Sequence, residues 1–136
     1  MSGPLYLDTS AVLRATLENG TTPDLERRLK AADVLVTSRL SLVESARVFL
    51  RVRQLHDAPE SRIADAEREA EAVWARCEVW ELTRSVCDAA ARVAPRKALR
   101  ALDALHLATF HEARRRIEGL GMLTVDERLR EAAEHA

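Results

Sequence analysis

Short apolar runs alternate along the chain with longer segments whose apolar residues recur at helical spacing. The runs are LYL at 5–7, VLVTS at 34–38, EVWEL at 78–82 and MLTVD at 122–126. Their length and their branched or aromatic side chains predict buried strands. Asp8 directly follows the first run and Asp126 ends the fourth, so two of the predicted strands lead into an acid.

Caps and prolines divide the intervening segments into predicted helices. Thr22 is the expected N-cap of a helix that has Pro23 at its first position. Ser41 and Thr83 are expected to cap two more helices, and Pro95 interrupts or ends the second of these. The predicted helices span about 9–18, 23–32, 41–55, 63–77, 84–94, 98–113 and 127–136.

Strands separated by helices long enough for crossovers predict a parallel α/β sheet with helices on both faces. The length is that of one domain, and no repeat, low-complexity segment or linker divides residues 1–136. Ligands of such sheets bind beyond the carboxyl ends of the strands. The acids that follow the strands are therefore the first candidates for a functional site.

Composition and charge narrow the function class only slightly. A net charge of −1 argues against a protein whose whole surface binds phosphates, but it allows a local basic rim. Cys77 and Cys87 have no CxxC spacing, and we interpret both as reduced core residues. No leader-like N-terminus and no membrane-length apolar run are present in the sequence. We expect a cytoplasmic protein without a membrane partner.

One acid lies within the apolar face of a predicted helix. In ALRALDALHLATF, residues 98–110, leucines and a phenylalanine surround Asp103 at helical spacing. An ionised carboxylate left unpaired there costs several kcal/mol. Asp103 could pair with Arg100 or His106 of its own helix, but either partner would then need burial too.

Four acids from distant parts of the chain are expected at one edge of the sheet. Asp8 and Asp126 follow strands, and Glu44 lies just inside the helix after the second strand. Asp103 lies near the start of a helix that can cross the same edge. Each acid except Asp103 also has a simple structural interpretation, because Asp8 and Asp126 could be N-caps and Glu44 could form a capping box with Ser41.

Mutual repulsion limits how these acids can share a pocket. Two carboxylates about 4 Å apart repel by roughly 4 kcal/mol at an effective dielectric near 20. Four such groups are tolerated when protons are taken up or when a hard cation binds among them. Oxygen ligands without His or Cys favour magnesium or manganese over zinc. A bound Mg²⁺ or Mn²⁺ is therefore the expected compensation.

Four segments in this order resemble a known family. LYLDTSA, SLVESARV, ALDALHLATF and LTVDERL are similar to the motifs of PIN domains, and specifically of the toxin ribonucleases of VapBC-type toxin–antitoxin pairs. The resemblance covers essentially the whole chain. It implies a three-layer α/β/α fold with a central, mostly parallel sheet of four to five strands.

The resemblance also implies the site and its chemistry. Asp8, Glu44, Asp103 and Asp126 take the acidic metal-binding positions of the family, and Asp126 is the more variable fourth. Thr9 and Thr124 match hydroxyl positions that orient carboxylates or water. The implied reaction is hydrolysis of an RNA phosphodiester with water activated by one or two Mg²⁺ or Mn²⁺ ions.

Cationic side chains have to hold RNA phosphates near a pocket that repels them. Those close in sequence to Glu44 or Asp103 are the candidates, although charges on helices are more often simply solvated. They are Arg39, Arg47, Arg51, Arg96, Lys97 and Arg100. We interpret His106 as a packed or hydrogen-bonded histidine rather than as a catalyst.

Resemblance to these toxins implies protein partners as well. A small VapB-like antitoxin is expected to lay a disordered tail in an apolar groove and to reach the acidic site, and the chain is expected to form a homodimer. Two sets of apolar residues could line such a groove or belong to the core. They are Ile63, Val73 and Trp74, and Leu17, Leu25 and Leu29.

Two other function classes stay open at this point. A phosphatase with Asp8 as nucleophile is suggested by Asp-Thr-Ser after a strand. Ser10 stands where such enzymes have a second acid, and no lysine lies near a predicted strand end. The other class is a non-catalytic PIN-like binding module, in which the carboxylates are caps and salt-bridge partners.

Overall fold

The computed structural model describes residues 3–135, and this part of the chain folds around one sheet. The strands are β1 (Leu5–Leu7), β2 (Leu35–Ser38), β3 (Cys77–Trp80) and β4 (Gly121–Leu123). The helices are α1 (Thr9–Leu17), α2 (Pro23–Ala31), α3 (Arg39–Leu55), α4 (Glu60–Ala75), α5 (Arg84–Ala90), α6 (Ala101–Arg114) and α7 (Glu127–Glu134).

All the strand pairs are parallel, in the order β3-β2-β1-β4. The predicted three-layer α/β/α fold is confirmed, with four strands in the described part of the chain. The chain moves outward from β1 to β2 and β3 and then returns to the other side of β1 as β4. The carboxyl ends of β1 and β4 therefore form a topological switch point, where parallel sheets usually bind ligands.

Each face of the sheet has its own apolar core, because successive side chains of a strand point to opposite faces. Leu5 and Leu7 pack with residues of α1, α2, α3 and α4, whereas Tyr6 packs with residues of α6 and α7. Tyr6 and Leu107 are both fully buried. The alternation within β1 thus places Tyr6 on the same side of the sheet as the helix that carries Asp103.

The start of α3 differs from the expected one. Ser38, not Ser41, is the N-cap, and its hydroxyl accepts a hydrogen bond from the Leu40 backbone N–H at 3.0 Å. Ser41 is buried, and its hydroxyl accepts from Thr37 instead, at 2.7 Å. The helix begins directly where β2 ends, so Ser41 already has helical backbone and is unable to cap. The capping box of Ser41 with Glu44 is therefore wrong.

Pro95 lies beyond α5, which ends at Ala90, and residues 91–100 lead to α6 without regular structure. The Thr83 cap is confirmed, because its hydroxyl accepts from the Val86 N–H at 3.2 Å. Within residues 3–135 no helix is both long enough and apolar enough to cross a lipid bilayer.

The interpretation of both cysteines as core residues is wrong for Cys87. Cys87 is exposed on α5, whose single buried residue is Val86. Cys77 is partly buried, and its thiol donates to the Val73 carbonyl at 3.3 Å. Burial raises the pKa of the Cys77 thiol to about 12 despite the opposing charge of Arg76.

The apolar residues that were predicted to line a groove or to belong to the core are found in or against the core. Ile63, Trp74 and Leu29 are buried, whereas Leu17, Leu25 and Val73 are partly buried and pack against the same core. The large apolar side chains that are exposed on α3 are Val43, Leu50 and Leu55, each half exposed or more. The spacing of seven residues between Val43 and Leu50 places these two on one face of that helix.

Candidate active site

Four acids meet at the carboxyl edge of the sheet, and we call Asp8, Glu44, Asp103 and Asp126 the acidic site. Asp8 follows β1, and Asp126 lies three residues after β4. Glu44 is in the second turn of α3, and Asp103 is in the first turn of α6. The charges of the other three acids all act on Asp103. Four segments that are distant in sequence are thus close in space.

Asp8 is buried and is held by two hydroxyl groups. Its Oδ2 atom accepts hydrogen bonds from Ser10 Oγ at 2.6 Å and from Thr124 Oγ1 at 2.7 Å. Asp8 occupies the N-cap position of α1 but makes no side-chain capping bond. The structure therefore does not support a capping role for this carboxylate, which instead ties the end of β1 to the residue after β4.

Glu44 is held from two directions at one oxygen. Its Oε1 atom accepts from Thr9 Oγ1 at 2.6 Å and lies 2.7 Å from His106 Nε2. Burial alone would raise the pKa of Glu44, but the hydrogen bonds from His106 and Thr9 outweigh this and lower it below its usual value. Glu44 therefore stays ionised at neutral pH.

Asp103 contrasts with these two acids. Within residues 3–135 no hydrogen bond or ion pair engages its carboxylate. Its pKa lies above the usual value, first because of burial and then because of the charges of Asp126 and Asp8. His106 offsets only part of this effect. The acid that the sequence marks as uncompensated is uncompensated in the structure.

Asp126 is the N-cap of α7, and its Oδ1 atom accepts from the Leu129 N–H at 3.1 Å. Its structural interpretation as a cap is therefore correct. The Asp126 N–H donates to Thr124 Oγ1 at 3.0 Å, while the same hydroxyl donates to Asp8. Thr124 thus couples the two acids at the ends of β1 and β4.

Thr9 and Thr124 each donate a hydrogen bond to an acid that is distant in sequence. Thr9 follows Asp8 but donates to Glu44, and Thr124 precedes Asp126 but donates to Asp8. Ser10 and Tyr6 were not predicted to take part. Ser10 holds Asp8, and the Tyr6 hydroxyl lies 2.8 Å from His106 Nδ1. The clue to Tyr6 in the sequence is its alternation with Leu5 and Leu7, which places it on the α6 side.

The cationic candidates are spread unevenly around the acidic site. Arg39 already binds both carboxylate oxygens of Glu81, at 3.0 and 2.5 Å. Arg47 and Arg51 are exposed on α3, one and two turns beyond Glu44 and progressively further from the sheet edge. Arg96 and Arg100 are exposed in the segment that leads into α6. Lys97 lies there too, 3.9 Å from a Glu131 oxygen.

Oxygen donors of this kind are those that magnesium and manganese prefer. The raised pKa of Asp103 beside other carboxylates indicates negative charge that His106 offsets only in part. In the part of the chain that the structure describes, no group of three or more His, Cys, Asp or Glu side chains lies close enough to coordinate a metal ion. The chemistry of the oxygen donors therefore fits a hard cation.

A groove lies between α3 and α4, with a volume of about 370 Å³. Apolar residues line it, including Leu42, Ala46, Phe49 and Trp74, and Glu67 and Glu71 lie on its α4 side. The indole N–H of Trp74 is buried and has no hydrogen-bond acceptor. The groove therefore presents a mainly apolar surface with an acidic side.

Comparison with known proteins gives a consistent result. The family model described as PIN domain matches residues 5–135. The chain is 37% identical to Ribonuclease VapC49 of Mycobacterium tuberculosis over 107 residues, which are 77% of this chain and 73% of that protein.

Solved structures share the fold at lower identity. The crystal structure of PAE2754 from Pyrobaculum aerophilum superposes with a TM-score of 0.68 at 20% identity, over 98% of this chain and 81% of the other. A toxin–antitoxin complex from Klebsiella pneumoniae superposes with a TM-score of 0.62 at 16% identity, over 90% of this chain and 86% of the other.

Proposed function

This chain belongs to the PIN domain family, and we propose on that premise that it is the ribonuclease toxin of a toxin–antitoxin pair. The substrate is an RNA phosphodiester, and the reaction is hydrolysis that depends on Mg²⁺ or Mn²⁺. The observation that carries the proposal is that the charges of Asp8, Glu44 and Asp126 all raise the pKa of Asp103. The Asp103 carboxylate has no hydrogen bond or ion pair among the described residues. Relatives named as ribonucleases support the choice of RNA.

Each residue of the acidic site has a proposed task. Asp8 and Asp103 are the direct cation ligands, and Asp126 binds a second cation or acts through water. Glu44 is a ligand or the base that orients water, because Thr9 and His106 engage one of its oxygens and leave Oε2 available. A bound divalent cation supplies positive charge that offsets the carboxylates and the phosphate and makes water a nucleophile near neutral pH.

Phosphates beyond the scissile bond need cationic side chains outside the acidic site. Arg96 and Arg100 are the best placed of the candidates, because they precede Asp103 by a few residues and have no ion-pair partner among the described residues. Arg39 is the least available, since two nitrogen atoms of its guanidinium group already donate to the Glu81 carboxylate.

The experiment that tests the ribonuclease is cleavage of total RNA by purified chain, freed of any bound antitoxin, with Mn²⁺ or Mg²⁺. We expect discrete products that EDTA abolishes, and a loss of at least about 100-fold in rate for Asp8→Asn or Asp103→Asn. Asp33→Asn is the matched control, because Asp33 is exposed beside the amino end of β2, away from the acidic site.

Intact RNA with every metal would contradict the ribonuclease and favour a non-catalytic binding module. Release of phosphate from a small monoester, lost in Asp8→Asn, would favour the phosphatase instead. Cleavage that persists in Asp103→Asn would show that the acidic site is not where the reaction takes place.

The proposed protein partner is a VapB-like antitoxin, and we propose that an apolar segment of it occupies the groove between α3 and α4. The groove offers an apolar lining to that segment and the carboxylate of Glu71 to partner cations, whereas Glu67 already pairs with Arg53 at 2.9 Å. Val43 and Leu50 extend the apolar surface along α3. A homodimer and a cytoplasmic location also remain part of this proposal.

A further inference from the structure

His106 connects the sheet to the acidic site through both of its ring nitrogens. Nδ1 lies 2.8 Å from the hydroxyl of Tyr6, and Nε2 lies 2.7 Å from Glu44 Oε1. His106 is 1% exposed and Tyr6 is fully buried. Neither side chain can therefore touch an RNA substrate, so any effect on the reaction has to pass through Glu44 or its neighbours.

The hydrogen bonds determine where the imidazole carries its hydrogen. Nε2 lies 2.7 Å from a carboxylate oxygen of Glu44, and a carboxylate only accepts hydrogen bonds. Nε2 must then carry a hydrogen and donate it to Glu44. The Tyr6 hydroxyl lies 2.8 Å from Nδ1 and holds the opposite side of the ring.

The result is a fixed orientation for Glu44. Thr9 Oγ1 and His106 Nε2 converge on the same oxygen, at 2.6 and 2.7 Å. His106 Nε2 also lies 3.5 Å from Asp8 Oδ1, so the ring stands between two acids of the site. Replacing the ring would free Glu44 to rotate and would remove the group that separates it from Asp8.

We propose that His106, oriented by Tyr6, is a positioning residue that holds Glu44 with Oε2 turned toward the cation and water of the reaction. This inference rests on the proposed ribonuclease function. It assigns Tyr6, His106 and Glu44 to one hydrogen-bonded chain that runs from the middle of β1 through α6 to α3. Partners of this kind typically change metal affinity or activity by about 10- to 100-fold when they are removed.

The test compares the whole chain with His106→Leu, His106→Gln and Tyr6→Phe. Leucine fills the space without a donor, whereas glutamine keeps an N–H at a similar reach. Thr16→Val is the matched control, because Thr16 is also buried but donates to the Val12 carbonyl of its own helix. The measurements are Mn²⁺ affinity by calorimetry without RNA, kcat and KM for RNA cleavage, and the nitrogen-15 shifts of the His106 ring in metal-free protein.

We expect His106→Leu to lower Mn²⁺ affinity and kcat by about 10- to 100-fold with little change in KM, because His106 does not contact RNA. His106→Gln should recover most of this loss, and Tyr6→Phe should cause a smaller loss. The wild-type ring should carry a hydrogen on Nε2.

A wild-type ring without a hydrogen on Nε2 would overturn the inference, even if the variants failed to fold. Unchanged Mn²⁺ affinity and kcat in folded His106→Leu would overturn it as well, because they would leave His106 a purely structural role. Mn²⁺ binding without RNA cleavage by the wild type would contradict the ribonuclease alone, since the affinities and the ring shifts would still report on positioning.

Discussion

Asp103 is the residue on which the electrostatics of the site depend most. Asp8 and Glu44 each accept hydrogen bonds from two neighbours, and Asp126 caps a helix. Asp103 has no such partner in the described residues, and burial together with the charges of Asp126 and Asp8 raises its pKa. Without a cation, its ionised form therefore works against folding.

Asp103→Asn is accordingly expected to stabilise the metal-free protein. A folded-state pKa above the unfolded one means that stability falls as the pH rises through the usual carboxyl range, and the penalty is complete at pH 7. Asparagine removes the charge of this partly exposed side chain, where solvent screens the repulsion, so we expect a gain of at most about 1 kcal/mol at pH 7 in EDTA that disappears below the usual carboxyl range. Urea unfolding across this pH range measures it.

Asp33→Asn serves again as the control and should change the free energy of unfolding little at either pH. If Asp103→Asn destabilised the metal-free protein at pH 7, Asp103 would have a stabilising partner. The description of Asp103 as unpaired would then be wrong, and so would the argument for a cation at this position.

Single residues of the site could be predicted where one strand or one helix decides their position. Asp8 and Asp126 follow from the end of a strand, and Asp103 follows from an acid within an apolar stripe. The hydrogen bond of Thr9 to Glu44 could not be predicted, because it depends on how α1 and α3 lie against each other. Cys87 was wrongly expected in the core, since the short α5 buries little besides Val86.

At the scale of elements, the strand-to-helix junctions decide most of the geometry. The chain passes from β2 into α3 without a loop, so Ser38 ends the strand and caps the helix at once. Because the helix begins at Arg39, Glu44 is its sixth residue and lies in the second turn, beyond the first-turn N–H groups that a capping box would engage. Sequence patterns locate helices better than their first residue, which explains the error over Ser41.

The prediction that an antitoxin binds the groove depends on the packing of α3 on α4. Ala46→Arg would place a long cationic side chain in the groove beside Leu42 and Trp74. We expect this variant to cleave RNA normally and to lose at least about 10-fold in affinity for a co-expressed VapB-like antitoxin. Binding by calorimetry and growth of a bacterial host that expresses both proteins measure it.

Ala72→Arg makes the same substitution at an exposed position of α4 that does not line the groove. Neutralisation should survive in this control. If the antitoxin inhibited Ala46→Arg as well as it inhibits the wild type, the groove would not be its binding site, although the ribonuclease proposal would be unaffected.

At the scale of the whole molecule, charge is distributed unequally around the sheet although the net charge is −1. Residues 84–100 contain five Lys and Arg against one acid, whereas residues 60–81 contain seven acids against three Arg. The basic segment leads directly into α6 and Asp103, and the acidic one contains α4 and its groove. One side of the molecule therefore suits a polyanion and the other suits a partner with basic residues.

Salt dependence tests this division of the surface. Each phosphate contact to a single strand contributes about 0.7 to the slope of log affinity against log salt. Arg96→Ala/Arg100→Ala should raise the KM for RNA roughly 10-fold at low salt and reduce that slope by about 1.4, with kcat unchanged. Arg62→Ala/Arg68→Ala removes the same charge from the exposed face of α4 and should change neither quantity. Equal effects of the two variants would mean that RNA responds only to net charge, and the basic segment would then have no specific part in binding.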